Sequence, residues 1–304
     1  MNPRALTSIR ILSDGRPGHE NQSAGLAEAL RRRTGANVEL VRFPVGAGFW
    51  TKRKLACAHP TSGDAPQLVI GTGHGTHFSL LAAARRFGAK SVVIMRPSLP
   101  SWLFDLCLVP RHDLAKPADH GRVVTTRGAL NRISEDAPLK TNTGVILIGG
   151  PSKHHGWNGD PLPQAIEEIV RSRPDLAWTV GDSRRTPENF ITQIATPGVT
   201  RVPHQQTQPG WLPATLSAAR EVWVTEDSVS MIFEALTAGA RVGVLPLPVK
   251  NPAARTVKAV NDLLADGYVR TLDAWRKAPE AWGAAPALHE TARCADLIIN
   301  RFFR

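Results

Sequence analysis

Cysteine is scarce: Cys57, Cys107 and Cys294 are scattered along 304 residues. An odd number without C-x-x-C spacing excludes a disulfide framework and a cysteine zinc site, and fits a reducing compartment. Cys107 lies in the apolar run 106–109 and reads as core. Long hydrophobic runs are missing, since nothing reaches the roughly 18 apolar residues of a membrane-spanning helix. Met1-Asn-Pro-Arg4 leads into no apolar segment, so no signal peptide is expected and a cytoplasmic location fits. The phosphate-binding run G-x-x-x-x-G-K-[ST] is absent. Gly71-x-Gly73 is no dinucleotide fingerprint, because residue 76 is Thr. Acidic residues are in deficit, 26 against 37 Lys+Arg, which leaves a formal net charge of +11. That excess favours anionic partners such as nucleotides, phosphorylated sugars, nucleic acid or an acidic membrane face. A merely basic, solvated surface explains it equally well. What remains is ordinary: 42% hydrophobic and 21% charged residues, with 25 Gly and 24 Pro. Disorder, collagen and coiled coil are excluded, and the length suggests about two domains.

The chain alternates strands and helices. Strands are expected at 8–12, 38–42, 68–70, 91–95, 106–109 and 123–125, with helices at 21–33 and 78–87. The polar stretch 134–143 has no apolar periodicity and is the linker candidate. The pattern then restarts, with strands at 144–148, 177–180, 221–225 and 241–245. Helices are expected at 162–171, 187–195, 228–238, 253–265 and 287–303. Strand, Gly-rich turn and helix in repetition specify an α/β fold of two doubly wound parallel sheets. The expected division is 1–138, 139–286 and a C-terminal helix at 287–304.

Four motifs concentrate chemistry at strand ends. The first, Ser13-Asp-Gly-Arg-Pro-Gly-His-Glu-Asn-Gln22, leads from a strand into a helix. A structural turn explains Gly15, Pro17 and Gly18, but not Asp14, Arg16, His19, Glu20 and Asn21 together. The helix N-terminus suits an anion or polar substrate, and His19 suits proton transfer near neutral pH. The second is Gly71-Thr-Gly-His-Gly-Thr-His77. Its three alternate glycines, Gly71, Gly73 and Gly75, permit close backbone approach to another chain or a ligand. His74 and His77 can share a helical face, but they lack a third metal ligand, so a polar cleft lining is the better reading and no metal is expected. The third joins Gly149-Gly150-Pro-Ser152-Lys153 to Ser183-Arg184-Arg185 after the next strand. Gly-Gly, a hydroxyl and guanidinium groups can cradle a diphosphate. The fourth, Thr225-Glu-Asp-Ser-Val-Ser-Met-Ile-Phe-Glu234, carries Asp227 and Ser228 into a helix start, where Ser is a good N-cap. Ser230 and Glu234 then share one helix face, and a carboxylate there can accept both ribose hydroxyls.

Together, SDGRPGHENQ, GGPS, DSRRTPEN and TEDSVSMIFEAL…VLPL resemble the ELM1-like family, which includes a plant mitochondrial-fission factor and bacterial members regarded as glycosyltransferases. That family in turn is similar to the GT-B glycosyltransferases, notably the one that adds N-acetylglucosamine to the peptidoglycan lipid carrier. The resemblance implies two Rossmann-like domains facing a cleft, with the C-terminal helix crossing back to the first. Gly15, Gly18 and His19 match the acceptor-side loop, although Asp14-Gly-Arg-Pro-Gly-His19 replaces a more Gly-rich run. Gly150 and Ser152 match the diphosphate loop, and Ser228, Ser230 and Glu234 the unit whose Glu contacts ribose. The implied activity is metal-independent sugar transfer from a nucleotide-diphosphate donor to a cell-envelope glycan or lipid-linked acceptor. No cofactor is expected beyond that co-substrate, and no nucleic acid. His19 or Asp14 would activate the acceptor, and an anionic membrane surface could dock the protein through Trp50 and Trp102 with nearby cations, although both tryptophans read at least as well as core or loop anchors. The rival reading is a non-catalytic scaffold acting as a membrane adaptor. An NAD-dependent epimerase is excluded, since the lone Tyr268 has Leu at position 272 where a Tyr-x-x-x-Lys pair needs Lys.

Overall fold

The computed structural model describes residues 5–60, 63–114, 119–135, 140–279, 282–283 and 288–303. The chain divides into two compact units, Met1–Arg132 with His289–Arg304, and Ile133–Leu288. The expected boundaries at 138/139 and 286/287, and the middle of the expected linker, lie outside the described residues.

The first unit contains β1 (Ser8–Ser13), α1 (Pro17–Thr34), β2 (Asn37–Arg42), α2 (Phe49–Ala56), β3 (Leu68–Thr72), α3 (His77–Phe87), β4 (Lys90–Ile94), β5 (Leu106–Pro110) and β6 (Val123–Thr126). Its strands form one parallel sheet in the order β2-β1-β3-β4-β5-β6. The second contains β7 (Thr143–Leu147), α4 (Leu162–Ser172), β8 (Ala177–Gly181), β9 (Val199–Val202), α5 (Trp211–Ala218), β10 (Glu221–Thr225), α6 (Val229–Thr237), β11 (Arg241–Leu245), α7 (Arg255–Ala265), β12 (Val269–Thr271) and α8 (Leu272–Lys277). Its parallel sheet runs β12-β11-β10-β7-β8-β9. The last helix, α9 (Glu290–Phe302), belongs to the first unit.

Helices on both faces make these strands near-continuous apolar runs, and every residue of β3, β5 and β10 is buried. On one face of the first sheet, Leu26 and Leu30 of α1 pack with Cys294, Ala295 and Ile298 of α9. On the other, Leu80 and Ala83 of α3 pack against Leu12, Val69 and Val93. Cys107 is buried there as expected, and burial pushes its thiol pKa up to about 12.

Two local expectations are corrected. α1 starts at Pro17 rather than at residue 21, because proline is preorganised for a first helical turn. Gly18, His19 and Glu20 are therefore helical. The helix expected at 187–195 is a short turn, Phe190–Gln193, because Asn189 adopts a left-handed φ of 61° immediately before it. The helices α2, α5 and α8, and the short strands β9 and β12, have too little apolar periodicity to be read from sequence.

In both sheets the chain reverses its direction of strand addition once. In the first, this happens between β1 and β3, which pair in parallel; in the second, between β7 and β10. Ligands of doubly wound sheets bind outside the carboxyl ends of strands at such switch points. All four motifs follow strands of these two pairs, or β8 beside them.

Candidate functional site

At the switch point of the first unit, β1 runs into Asp14 and Gly15 turns the chain at φ +79°. His19, in the first turn of α1, places Nδ1 at 3.0 Å and 3.2 Å from the Asp14 carboxylate oxygens. An imidazole paired this way donates its Nδ1 proton to the carboxylate and leaves Nε2 as the basic nitrogen. The ring lies on Gly73, where a Cβ would come within 2.4 Å of it; a Cβ on Gly75 would meet Asp14 at 3.3 Å. The alternate glycines of the second motif thus make room for the Asp14–His19 pair of the first.

The other residues of these motifs divide. Glu20 is a strut: Ser13 Oγ donates to it at 2.8 Å, and Arg42 donates through Nε at 2.9 Å and Nη2 at 2.6 Å. The Arg42 hydrogen bonds hold its carboxyl below the usual range, against an opposing effect of partial burial. Arg16 is exposed, with Nε 3.8 Å from Asp14. Gly18 is exposed, and Asn21 is half-buried on α1. The loop amides are less open to an anion than expected: Gly15 N–H donates to Ser13 Oγ and Arg16 N–H to Asp14 Oδ1, while Pro17 has none. His74 and His77 do not share a face. His74 is exposed on a short turn, His74–Thr76, whereas His77 is buried with Nδ1 3.2 Å from Ser98 Oγ. Burial, with His74 nearby, pushes the His77 pKa down.

At the second switch point the hub is Asp227, whose carboxylate is fully buried. It accepts from Gly150 N–H at 3.1 Å, Thr225 Oγ1 at 2.7 Å and Ser228 Oγ at 3.0 Å, and pairs with Arg185 Nη2 at 2.6 Å. Arg185 also donates to Gly150 O at 3.0 Å and Ser228 Oγ at 3.2 Å. Gly149 N–H donates to Thr225 Oγ1 at 2.7 Å. A Cβ on Gly149 would come within 2.2 Å of Ser228 Oγ, and one on Gly150 within 2.0 Å of the Arg185 carbonyl oxygen. Motifs three and four are therefore one interlocked structure in which Gly149, Gly150, Arg185, Asp227 and Ser228 join three strand ends. Ser228 holds the N-cap position of α6, but its hydroxyl makes no capping bond because Asp227 and Arg185 engage it. Ser183 belongs to the same loop and closes it through Thr186 Oγ1.

Other expected donor residues project from this frame. Ser152 accepts the amides of His154 and His155 in a turn that leaves Lys153 exposed. Ser230 is exposed and Glu234 half-buried, one turn apart on α6. Arg184 is exposed and lines a cavity of 480 Å³ beside the loop.

Sequence reasoning left five residues here without a role. Thr225 and Thr186 bind the loops; Thr186 Oγ1 donates to the carbonyls of Ile148 and Gly149. Across the cavity from Arg184 lies a second acid–imidazole pair, with His204 Nδ1 2.9 Å from Asp182 Oδ1. A strand-terminal Asp and a Pro-His after the next strand were the available signals. Glu226 has its pKa raised by burial, partly offset by the Leu247 amide.

Among solved structures, the chain is similar to the glycotransferase of kitacinnamycin, with a TM-score of 0.53 at 18% identity, covering 99% of this chain and 100% of that one. It is similar to Acinetobacter baumannii MurG, with a TM-score of 0.54 at 15% identity and 97% and 99% coverage. It is also similar to the UDP-GlcNAc 2-epimerase of Neisseria meningitidis bound to UDP-GlcNAc, with a TM-score of 0.52 at 14% identity and 97% and 99% coverage. These likenesses establish a GT-B-like fold. Because an epimerase shares it, the fold alone does not select transfer. The mitochondrial fission protein ELM1 of Arabidopsis thaliana is 26% identical over 287 residues, 77% of this chain. The chain spans 64% of that relative's length. The description "Mitochondrial fission ELM1" matches residues 17–302, which include His19, the whole second switch-point site and α9, and the chain belongs to that family.

Proposed function

We propose that the protein is a glycosyltransferase that takes a sugar from a nucleotide diphosphate and passes it to a cell-envelope glycan or lipid-linked acceptor. The observation that carries this reading is the Asp14–His19 pair at the first switch point. Asp14 is the orienting acid and His19 Nε2 the base. Nε2 takes the proton of the acceptor hydroxyl as its oxygen attacks the anomeric carbon, and the bond to the diphosphate breaks with its electron pair leaving on the phosphate oxygen. In the second unit, Arg184 and Lys153 supply exposed positive charge for that diphosphate, and Ser230 and Glu234 present a hydroxyl and a carboxylate for the ribose. Arg185 supports this surface from beneath by its pairing with Asp227. The likeness to S. aureus MnaA in complex with UDP, and to the Neisseria meningitidis epimerase bound to UDP-GlcNAc, supports the choice of donor. The donor is a co-substrate, and no resident cofactor or metal is assigned a part.

The test is a thermal-shift screen against nucleoside diphosphates and their sugars, with products followed by NMR. A ligand at 100 times its dissociation constant adds about 2.7 kcal/mol. Glu234→Ala should abolish the shift. His19→Ala should keep it and lower transfer by roughly 10²–10⁴-fold. Epimerised or hydrolysed sugar without transfer would replace the reaction. A well-folded protein that no nucleotide shifts would favour the adaptor reading suggested by the name of the Arabidopsis relative.

A further inference from the structure

The positive charge is not spread evenly. Residues 40–104 contain eight Lys and Arg against Asp64 alone, a balance of +7 out of the chain's +11. The same stretch holds six of the seven exposed large hydrophobics among the described residues, including Val45, Phe49, Trp50, Phe78 and Trp102. Two independent surface properties therefore coincide on less than half of the first unit.

The coincidence has a shape. α2 and α3 run side by side in the same direction. Their N-termini meet where the rings of Phe49 and Phe78 lie 5.9 Å apart, and their C-terminal ends meet where Arg86 Nη2 is 3.2 Å from His59 Nε2. Phe49 also packs edge-on to Trp50 at 5.1 Å. Between the helices is an open cavity of 860 Å³ lined by Trp50, Arg53, Lys54, Cys57, Arg85 and Arg86. Lys52 lies over the Phe43 ring and Arg53 over Trp50. Among the described residues none of these cations pairs with a carboxylate. Arg10 fixes the arrangement from below: it is buried, donates to the carbonyls of Ala56 and Ala58, and lies over the Phe87 ring. The groove thus has an apolar rim at the N-terminal ends and a cationic floor behind it. The rim lies at the carboxyl end of the sheet, the end that carries His19.

We propose that the α2–α3 groove docks the protein on an anionic lipid bilayer, with Val45, Phe49, Trp50 and Phe78 entering the interface and Arg53, Lys54, Arg85 and Arg86 holding lipid phosphates. An amphiphile fits because it carries both parts: acyl chains for the rim and an anionic headgroup for the floor. A single-stranded nucleic acid fits less well, since base stacking needs presented ring faces. Here the rings pack edge-to-face on one another, and an aliphatic side chain, Val45, stands fully exposed four residues before Phe49. The inference deepens the lipid-linked acceptor reading above and rests on it for its purpose, because the rim would bring the membrane to the His19 end of the unit.

Cosedimentation with phosphatidylcholine vesicles, with and without phosphatidylglycerol, tests it. Binding should require phosphatidylglycerol and weaken as salt rises. Each cation neutralised among Arg53, Lys54, Arg85 and Arg86 should lower the partition coefficient roughly fivefold (about 1 kcal/mol). Phe49→Ser with Trp50→Ser should remove binding, whereas Lys277→Gln on α8 should not change it. A polarity-sensitive dye on Cys57 should shift to the blue on anionic vesicles only. Equal binding to both vesicle types, or binding unchanged in the groove variants, would overturn the proposal. So would displacement of the vesicles by single-stranded DNA through the same residues. The nucleotide-induced thermal shift, read on the same variants, separates a failure here from a failure of the transferase reading.

Discussion

Replacing Asp227 tests whether the second switch point is held by one buried carboxylate. That carboxylate accepts three hydrogen bonds and one ion pair while fully buried. A hydrogen bond to a charged group contributes about 1.5–3 kcal/mol and a neutral one about 0.5–1.5 kcal/mol. Asp227→Asn keeps the shape but turns three charged bonds into neutral ones, a loss of roughly 3 kcal/mol. The Arg185 pair adds little to that figure, since Arg185 is 41% exposed and can rehydrate; a pair so exposed contributes about 0.2–1 kcal/mol. Asp227→Ala is worse, because it strands the Gly150 N–H and the Thr225 and Ser228 hydroxyls; removing one partner of a buried network costs about 3–5 kcal/mol. For a unit of this size each kcal/mol moves the melting temperature by roughly 2–4 °C, so Asp227→Ala should lower the second unit's transition by roughly 6–20 °C. Calorimetry of the whole chain, with hydrogen exchange assigning each transition to its unit, is the assay. Asp227→Ala melting within about 2 °C of wild type would refute the hub, because that change corresponds to under 1 kcal/mol.

Three further outcomes follow from buried or paired groups. The Glu20 carboxyl is lowered in the folded state, so its contribution is present above the unfolded value of about 4.3 and is lost as pH falls through the folded value. Glu20→Gln should therefore flatten the acid limb of an unfolding titration, and an unchanged limb would place the Arg42 contact outside the stability of the first unit. Cys107 and Cys294 are buried with thiols pushed up to about 12, whereas Cys57 is half-exposed. A thiol reagent at mildly alkaline pH should titrate Cys57 alone in the native protein and all three thiols after unfolding. Ile298 of α9 is fully buried in the core of the first unit, so Ile298→Ala should cost about 2–5 kcal/mol by urea unfolding. A loss under about 1 kcal/mol would mean that α9 does not fill this core in solution.

The sheets were legible because parallel strands covered on both faces are short, almost wholly apolar runs such as Leu68–Ile70 and Leu106–Val109. Strand order was not legible, since pairing is a long-range outcome; the placing of β10 beside β7 rests on packing that periodicity does not carry. α2 was lost because Phe-Trp-Thr-Lys-Arg-Lys-Leu-Ala buries only Ala56 and shows no helical stripe. The residues of the sites were legible as a set, because acids, imidazole and guanidinium groups at strand ends exceed what a connector needs. Their roles were not. Glu20 and Arg185 read as ligand groups, yet each is engaged by its own fold, and only the partner atoms show it.

That division has a physical order. The carboxyl ends of parallel strands leave amides and carbonyls without partners, and burial makes them costly until something satisfies them. The first polar groups in a strand-end motif are consumed by that need, as Asp227 takes the Gly150 amide and Arg185 its carbonyl. Groups displaced outward along the chain can then meet a ligand: Arg184 beside Arg185, and His19 in the first turn of the helix that follows Asp14. Adjacent arginines therefore separate the two roles. Arg185→Ala should lower the melting temperature of the second unit and weaken nucleotide binding together, because it releases the buried Asp227 and the Gly150 loop. Arg184→Ala should leave the melting temperature unchanged and weaken nucleotide binding alone, since its guanidinium is exposed on the rim of the 480 Å³ cavity. Equal melting temperatures for the two variants would contradict the assignment of Arg185 to the scaffold, and unchanged binding in Arg184→Ala would move the diphosphate away from this loop.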